Sequence, residues 1–149
     1  METYPQDAAH TRPPRTGLEA FELMPEGTLC QLINDKIVMS PAPIPQHQET
    51  LDEIYYQLKT FVRVNKSGKT FFAPIDVYLN EKNVYQSDIL FLTNEQLSFI
   101  KKNGIYGAPA LIIEILSKGN EKYDLIDKKK IYEQSGVKEY WVVDPDTKL

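Results

Sequence analysis

Hydrophobic and polar positions follow two periodicities along the chain, and these predict helices and strands in turn. Apolar residues three and four positions apart predict a short helix over 18–24 and longer helices over 47–64 and 121–134. Gly136 marks the end of the last helix, and a polar stretch from Asn94 predicts a further short helix. Runs rich in β-branched and aromatic residues predict strands at 28–33, 36–40, 70–79, 85–92, 110–116 and 139–143.

The order of these elements predicts an α/β domain whose sheet is mixed, with parallel and antiparallel pairs as in α+β folds. A central mixed sheet is flanked by helices and preceded by a β-hairpin, whose turn falls at Asn34-Asp35 without a supporting glycine. The length of 149 residues is that of one domain. Residues 1–16 contain three prolines and predict a flexible tail, so we place the folded domain at 17–149.

Composition and charge narrow the range of functions. The chain has 17 basic and 21 acidic residues, a formal net charge of −4, which argues against binding nucleic acid by bulk charge alone. The single cysteine, Cys30, excludes an intramolecular disulfide and a cysteine-based metal cage, and favours a cytoplasmic location. No apolar run approaches the ~20 residues of a membrane span, so we expect no membrane partner.

Glu114 is out of place in the apolar run 110–116. A buried carboxylate costs several kcal/mol unless it is paired, protonated or bound to a cation. Strand alternation puts Glu114 on one face with Ile112 and Leu116, near the end of the strand. We interpret Glu114 as a functional carboxylate, with a buried ion pair or an early strand end as the alternatives.

Asp88 is the second anomaly, because it opens the apolar run Ile89-Leu90-Phe91-Leu92. Taken alone, it is typical of a turn residue before a strand. If the two strands converge, Asp88 and Glu114 together suit a hard divalent cation such as Mg²⁺ or Mn²⁺.

A lysine run on the last helix supplies the candidate positive charge. Lys128 and Lys129 each fall about 50° from the centre of the apolar face at about 100° per residue, so periodicity does not choose between them. One of them would present an ammonium to the carboxylates, whereas the alternative is a solvated charge run. His47, at the start of the first long helix, is typical of a cap or surface group. A cation held by carboxylates beside an ammonium is typical of phosphodiester hydrolysis.

Six segments follow one another along the chain in a characteristic order. They are Ile37-Val38-Met39-Ser40-Pro41-Ala42-Pro43, His47-Gln48, Ala73-Pro74-Ile75-Asp76-Val77, Gln86-Ser87-Asp88-Ile89, Ile113-Glu114-Ile115-Leu116-Ser117 and the stretch 136–145. In this order and spacing they resemble the Uma-type family of "putative restriction endonucleases", within the PD-(D/E)XK nuclease-like superfamily. The resemblance covers about residues 18–145 and implies a restriction-endonuclease-like core.

The resemblance implies a role for each matching position. Asp88 corresponds to the first acid, with Ser87 in place of the family's proline, and Glu114 corresponds to the second acid. The family's lysine precedes a tyrosine by four residues on the following helix, which selects Lys128 before Tyr132. Asp88, Glu114 and the Ile115 carbonyl would hold the cation, and Asp76 and Gln86 match recurrent polar positions.

The sequence also departs from the family pattern. The family's first hairpin carries two glutamates, and here Gln31 and Lys36 stand in their places; Glu49 or Glu53 on the first long helix would be the substitutes. Family members usually extend past the final Asp-Pro, which implies a truncated chain or a shortened member. The residues and the resemblance together therefore predict a Mg²⁺-dependent DNA endonuclease. Nuclease-like domains that cut both strands commonly pair, so the resemblance allows a homodimer, whereas the residues alone give no oligomeric state. The alternatives are a catalytically degenerate nuclease fold that serves as a binding or scaffold protein, and a hydrolase that acts on another phosphoester.

Overall fold

The computed structural model describes residues 12–117 and 126–147. Most of the predicted tail over 1–16 and part of the predicted helix over 121–134 lie outside these ranges. The helices are α1 (Gly17–Glu22), α2 (Pro45–Asn65), a 3₁₀ helix (Asn94–Phe99) and α3 (Lys128–Ser135). All four predicted helical regions therefore contain helix, and Gly136 follows α3 in the left-handed conformation with φ 94°, as expected of a C-cap.

The described residues form ten strands in two mixed sheets, which confirms the predicted fold class. The six-stranded sheet has the order β2-β1-β5-β4-β8-β7, and the four-stranded sheet has the order β10-β9-β6-β3. The pairs β4–β8 and β9–β10 are parallel and the others are antiparallel. The strands are β1 (Cys30–Ile33), β2 (Lys36–Met39), β3 (Gly68–Phe72), β4 (Asp76–Asn80), β5 (Asn83–Gln86), β6 (Ile89–Thr93), β7 (Ile100–Lys101), β8 (Gly104–Tyr106), β9 (Leu111–Ile115) and β10 (Glu139–Val143).

The predicted hairpin is confirmed as β1–β2. Asn34 and Asp35 both have positive φ, 50° and 66°, which is the requirement of a type I′ turn. Asn and Asp tolerate this conformation better than other residues with a side chain, so the turn forms without glycine.

Two predicted strands are wrong as single elements. The run 70–79 is divided between β3 and β4, and the run 85–92 between β5 and β6, so each run contributes to both sheets. Pro74 interrupts the first run because it has no N–H to give to a sheet ladder. Ser87-Asp88 interrupts the second, which leaves Asp88 immediately before β6.

Strand β9 lies at the centre of the core and is buried along its whole length. Ile112 belongs to a cluster with Leu90 and Tyr132 of α3, whereas Ile113 and Ile115 pack in a second cluster with Leu51 of α2. The strand is thus covered on both faces, which is what a nearly all-apolar strand sequence is typical of. No helix in the described ranges has the length and apolar character that crossing a membrane requires.

Candidate active site

The antiparallel pairing of β6 with β9 brings the two predicted carboxylates together. Ile89 of β6 lies opposite Ile113 of β9. Because the two strands are antiparallel, the next pair of opposed positions is Asp88 and Glu114. Directly opposed residues project from the same face of a sheet. Oδ2 of Asp88 accepts a hydrogen bond from the Ile115 N–H at 2.7 Å. The side chain thus takes the place of the next backbone acceptor and fixes the carboxylate at the strand end.

Glu114 is held by two side-chain donors from α3. Its exposed fraction is 2%, and Oε1 accepts from Lys128 Nζ at 3.0 Å and from the Tyr132 hydroxyl at 2.7 Å. Ser87 Oγ lies 3.0 Å from the same hydroxyl and donates to it, because the tyrosine proton is directed at Glu114. Burial, more than the neighbouring carboxylate, raises the pKa of Tyr132 far above its usual value and keeps the hydroxyl a donor.

Lys128 is the lysine that the fold brings to this carboxylate. Its exposed fraction is 3%, and its ammonium lies 5.4 Å from the centre of the Tyr85 ring. Lys129 and Lys130 are exposed. Because α3 begins at Lys128, this side chain is one turn N-terminal to Tyr132 and reaches the same Oε1 atom.

These groups line one cleft of about 530 Å³. Asp88, Glu114, Ile115 and Lys128 all contribute to its wall, so residues far apart in the sequence meet at the ends of β6 and β9. Gln31, in place of one of the lost hairpin glutamates, also lines the cleft. Its Oε1 accepts from the Gln86 N–H at 2.9 Å, which ties the hairpin to the end of β5.

The prediction that His47 is a cap or surface group is wrong. His47 is 8% exposed, lines the cleft, and places Nε2 3.4 Å from Asp88 Oδ1. Interaction with Asp88 raises the pKa of the imidazole, although burial opposes this. The sequence did contain a signal, because Leu51 lies four residues on and shares the helix face that packs against β9.

The other polar residues named from the family resemblance, Asp76, Gln86, Glu49 and Glu53, lie in different parts of the structure. Gln86 lines the cleft and donates from Nε2 to Asp76 Oδ1 at 3.0 Å. Asp76 itself lines a neighbouring cleft of about 710 Å³, and burial raises its pKa. Glu49 and Glu53 are exposed on α2, and neither lines the cleft of Asp88.

The oxygen ligands at the ends of β6 and β9 fit a hard divalent cation. Asp88 and Glu114 offer carboxylate oxygens, and the carbonyl of Ile115 leaves the strand on the same side as the N–H that Asp88 accepts. Mg²⁺ prefers such oxygen ligands and is usually held by one or two carboxylates with several waters. Among residues 12–117 and 126–147, no three acidic, histidine or cysteine side chains are grouped closely enough to hold a metal by themselves. The arrangement therefore suits a site completed by backbone, water and substrate oxygens.

Comparisons with known proteins agree with this architecture. The model of the Uma2 family, described as "Putative restriction endonuclease", matches residues 18–149. Among solved structures, the chain is similar to a crystal structure described as "a putative nuclease belonging to DUF820" from Anabaena variabilis ATCC 29413. The two share 20% sequence identity over 89% of this chain and 75% of the other, with a TM-score of 0.75. At this level of identity the match establishes the fold. No curated protein matches the chain.

Proposed function

Because the chain belongs to the Uma2 family, we propose that it is a metal-dependent nuclease that hydrolyses phosphodiester bonds in DNA. The observation that carries this proposal is the meeting of two carboxylates and one ammonium in a cleft large enough for a nucleotide. A protein with net charge −4 would otherwise repel a polyanion. A cation at the carboxylates would reverse that local repulsion.

Asp88, Glu114 and the Ile115 carbonyl would hold Mg²⁺ or Mn²⁺. When bound, such an ion supplies Lewis-acid charge beside the phosphate that is attacked. The chain's own contribution is to orient the ligands: Ile115 N–H fixes Asp88, and Tyr132 with Lys128 fixes Glu114. Preformed orientation of this kind lowers the reorganisation needed during the reaction.

Lys128 would stabilise the negative charge that grows on the phosphate during hydrolysis. Its ammonium is held by Glu114 at 3.0 Å and lies at the wall of the cleft. A charge fixed in a site of low polarity acts more strongly than a solvated one.

A second function rests on the same ion pair. Glu114 accepts hydrogen bonds from Lys128 and Tyr132. A buried ion pair of this kind would also be expected in a degenerate nuclease fold, where its role is purely structural. Gln31 in place of a hairpin glutamate points the same way. Such a protein would keep the fold and bind partners without hydrolysing DNA.

The test is nicking of supercoiled plasmid in Mg²⁺ or Mn²⁺. We expect the wild-type protein to nick and Asp88→Asn to lose on the order of a hundredfold or more in rate, because it removes a proposed metal ligand. Asp52→Asn is the matched control, since Asp52 is exposed on α2 and outside the cleft. A folded wild-type protein that does not nick in either ion would favour the binding or scaffold function.

We further propose that the protein acts on DNA in the cytoplasm and that it does so as a homodimer. Two copies would place two clefts on one duplex, which is the simplest way to cut both strands. Sedimentation of the protein with and without duplex DNA would separate a standing dimer from one that assembles on the substrate.

A further inference from the structure

His47 is a buried polar side chain to which the proposed reaction assigns no role. It lies in the first turn of α2, at the third residue of that helix, and its side chain is 9% exposed. It lines the cleft beside Asp88 and Ile115, two of the three proposed ligands of the cation.

The two nitrogens of His47 are in different surroundings. Nε2 lies 3.4 Å from Asp88 Oδ1. Nδ1 is buried and has no hydrogen-bond partner among the described residues. Hydrogen bonding with the Ile115 backbone and with the Gln48 side chain also raises the pKa of His47, although less than Asp88 does. Nδ1 takes part in no hydrogen bond in the described ranges.

A buried imidazole with one unpaired nitrogen lowers the stability of the folded protein relative to an apolar side chain of the same size. Leaving a buried polar atom unpaired costs about 1–3 kcal/mol, and leucine or methionine would fill the same volume without that cost. Asp88 is the strongest polar partner of the ring, ahead of the Ile115 backbone and the Gln48 side chain. The contact with Asp88 is therefore the feature that best accounts for a histidine here.

Asp88 is consequently contacted on both oxygens. Oδ2 accepts from the Ile115 N–H at 2.7 Å, and Oδ1 faces His47 Nε2. A backbone group of β9 and a side chain of α2 thus limit rotation of the carboxylate from two sides. Groups that orient a metal ligand from outside commonly change metal affinity by about 10–100-fold when they are removed.

We propose that His47 is a positioning residue, which holds the Asp88 carboxylate in the orientation that binds the divalent cation. The inference rests on the proposed function, because it presupposes that Asp88 is a metal ligand. It extends that function by assigning to the first turn of α2 a role that the two carboxylates and the lysine do not fill.

Direct titration with Mn²⁺ tests the inference without relying on activity. We expect His47→Leu, which keeps the volume and removes the donor, to weaken Mn²⁺ binding about tenfold or more. His47→Gln places an amide nitrogen at the reach of Nε2 and should restore most of the affinity, whereas His47→Asn is too short and should not. Gln57→Leu, at an exposed position of the same helix outside the cleft, is the matched control and should bind as the wild type does.

Kinetics give a second measurement. The Mn²⁺ concentration for half-maximal nicking should rise in His47→Leu, while KM for DNA at saturating Mn²⁺ stays within about twofold of wild type. A side chain with only a packing role would change the melting temperature without this selective change in metal dependence. If His47→Leu does not fold, the contrast between His47→Gln and His47→Asn carries the same test.

The two proposals fail in different ways. Equal Mn²⁺ affinity in wild type, His47→Leu and His47→Asn would overturn the positioning role and leave the nuclease proposal standing. Absence of Mn²⁺ binding by the wild type, with no nicking, would overturn both. Restoration of affinity in His47→Gln but not in His47→Asn would support the donor contact to Asp88.

Discussion

Glu114 and Lys128 form an ion pair in the interior of the protein, where both side chains are about 3% exposed. Taking either charge out of water alone would cost several kcal/mol, so each depends on the other and on the Tyr132 hydroxyl. Buried pairs of this kind are strongly destabilised when one partner is removed, even where the intact pair adds little net stability. The pair can thus serve a site without being a source of stability.

This dependence gives a prediction for stability. Lys128→Met keeps most of the side-chain volume but removes the ammonium that pairs with the buried Glu114 carboxylate, so the free energy of unfolding should fall by about 3–5 kcal/mol at neutral pH. Adding Glu114→Gln should recover most of that loss, because the amide oxygen still accepts from Tyr132 and no buried charge remains. Urea denaturation followed by circular dichroism measures both changes.

Lys129→Met is the control for the lysine substitution, since Lys129 is the exposed neighbour on the same helix. Its unfolding free energy should stay within about 0.5 kcal/mol of wild type. If Lys128→Met were as stable as Lys129→Met, the buried pair described here would not exist in solution.

Single residues also show what the sequence could and could not reveal. Glu114 was visible because one carboxylate interrupts an apolar strand. Lys128 could not be separated from Lys129 by helical periodicity, because the two flank the apolar face symmetrically; the family resemblance selected Lys128, and its contact with Glu114 distinguishes it in the structure. The spacing of His47 and Leu51 places both on one face of α2, which is a local signal, but that this face crosses the strand ends is a tertiary contact that the sequence does not show.

At the scale of elements, helices and the hairpin were predicted well and the strand breaks were not. The positive φ of Asn34 and Asp35 follows from local preference, and so does the end of α3 at Gly136. The division of 70–79 and 85–92 between two sheets depends on which strand each half pairs with. Both halves of each run have β-forming residues, so local pattern could not locate the breaks.

The C-terminus of α2 provides a prediction at this scale. Lys66 ends the helix in the left-handed conformation, with φ 52° and ψ 38°, where a side chain is strained and glycine is preferred. Its side chain is exposed, and its carbonyl, which accepts from Asn94 Nδ2 at 2.9 Å, is retained in any variant. Lys66→Gly should therefore raise the free energy of unfolding by about 1 kcal/mol.

The same substitution inside the helix should have the opposite sign. Lys59→Gly, at an exposed position within α2, should lower the free energy of unfolding by about 1 kcal/mol because glycine is a poor helix former. Thermal and urea denaturation of the two variants measure the difference. A loss of stability in Lys66→Gly would contradict the left-handed end of α2.

At the scale of the whole molecule, the cleft is assembled from parts that are distant in sequence. The hairpin contributes Gln31, α2 contributes His47, the two strand ends contribute Asp88 and Glu114, and α3 contributes Lys128. The order of elements was available from periodicity, but the pairing of β6 with β9, which aligns the two carboxylates, is a long-range contact. The resemblance to the Uma-type family assigned Asp88, Glu114 and Lys128 to one site, which the local pattern could not do. The family match over 18–149 confirms that resemblance.

The net charge of the molecule predicts that the proposed binding of DNA depends on a divalent cation. With 21 acidic against 17 basic residues, the protein has no bulk attraction for a polyanion, and the carboxylates of the cleft add local repulsion. A divalent ion at Asp88 and Glu114 would remove that repulsion and contact phosphate oxygens directly. We therefore expect duplex DNA to bind at least about tenfold more tightly in millimolar Ca²⁺ than in chelator, as measured by fluorescence anisotropy at fixed ionic strength.

The variant Asp88→Asn separates the cleft from general effects of the ion on DNA. It removes a proposed metal ligand, so Ca²⁺ should no longer improve its binding, although the lost negative charge should slightly improve binding in chelator. Wild-type protein that binds equally well with and without Ca²⁺ would show that a surface other than the cleft holds the DNA. In that case the degenerate binding module would become the better description, because affinity would no longer depend on the carboxylates that the fold brings together.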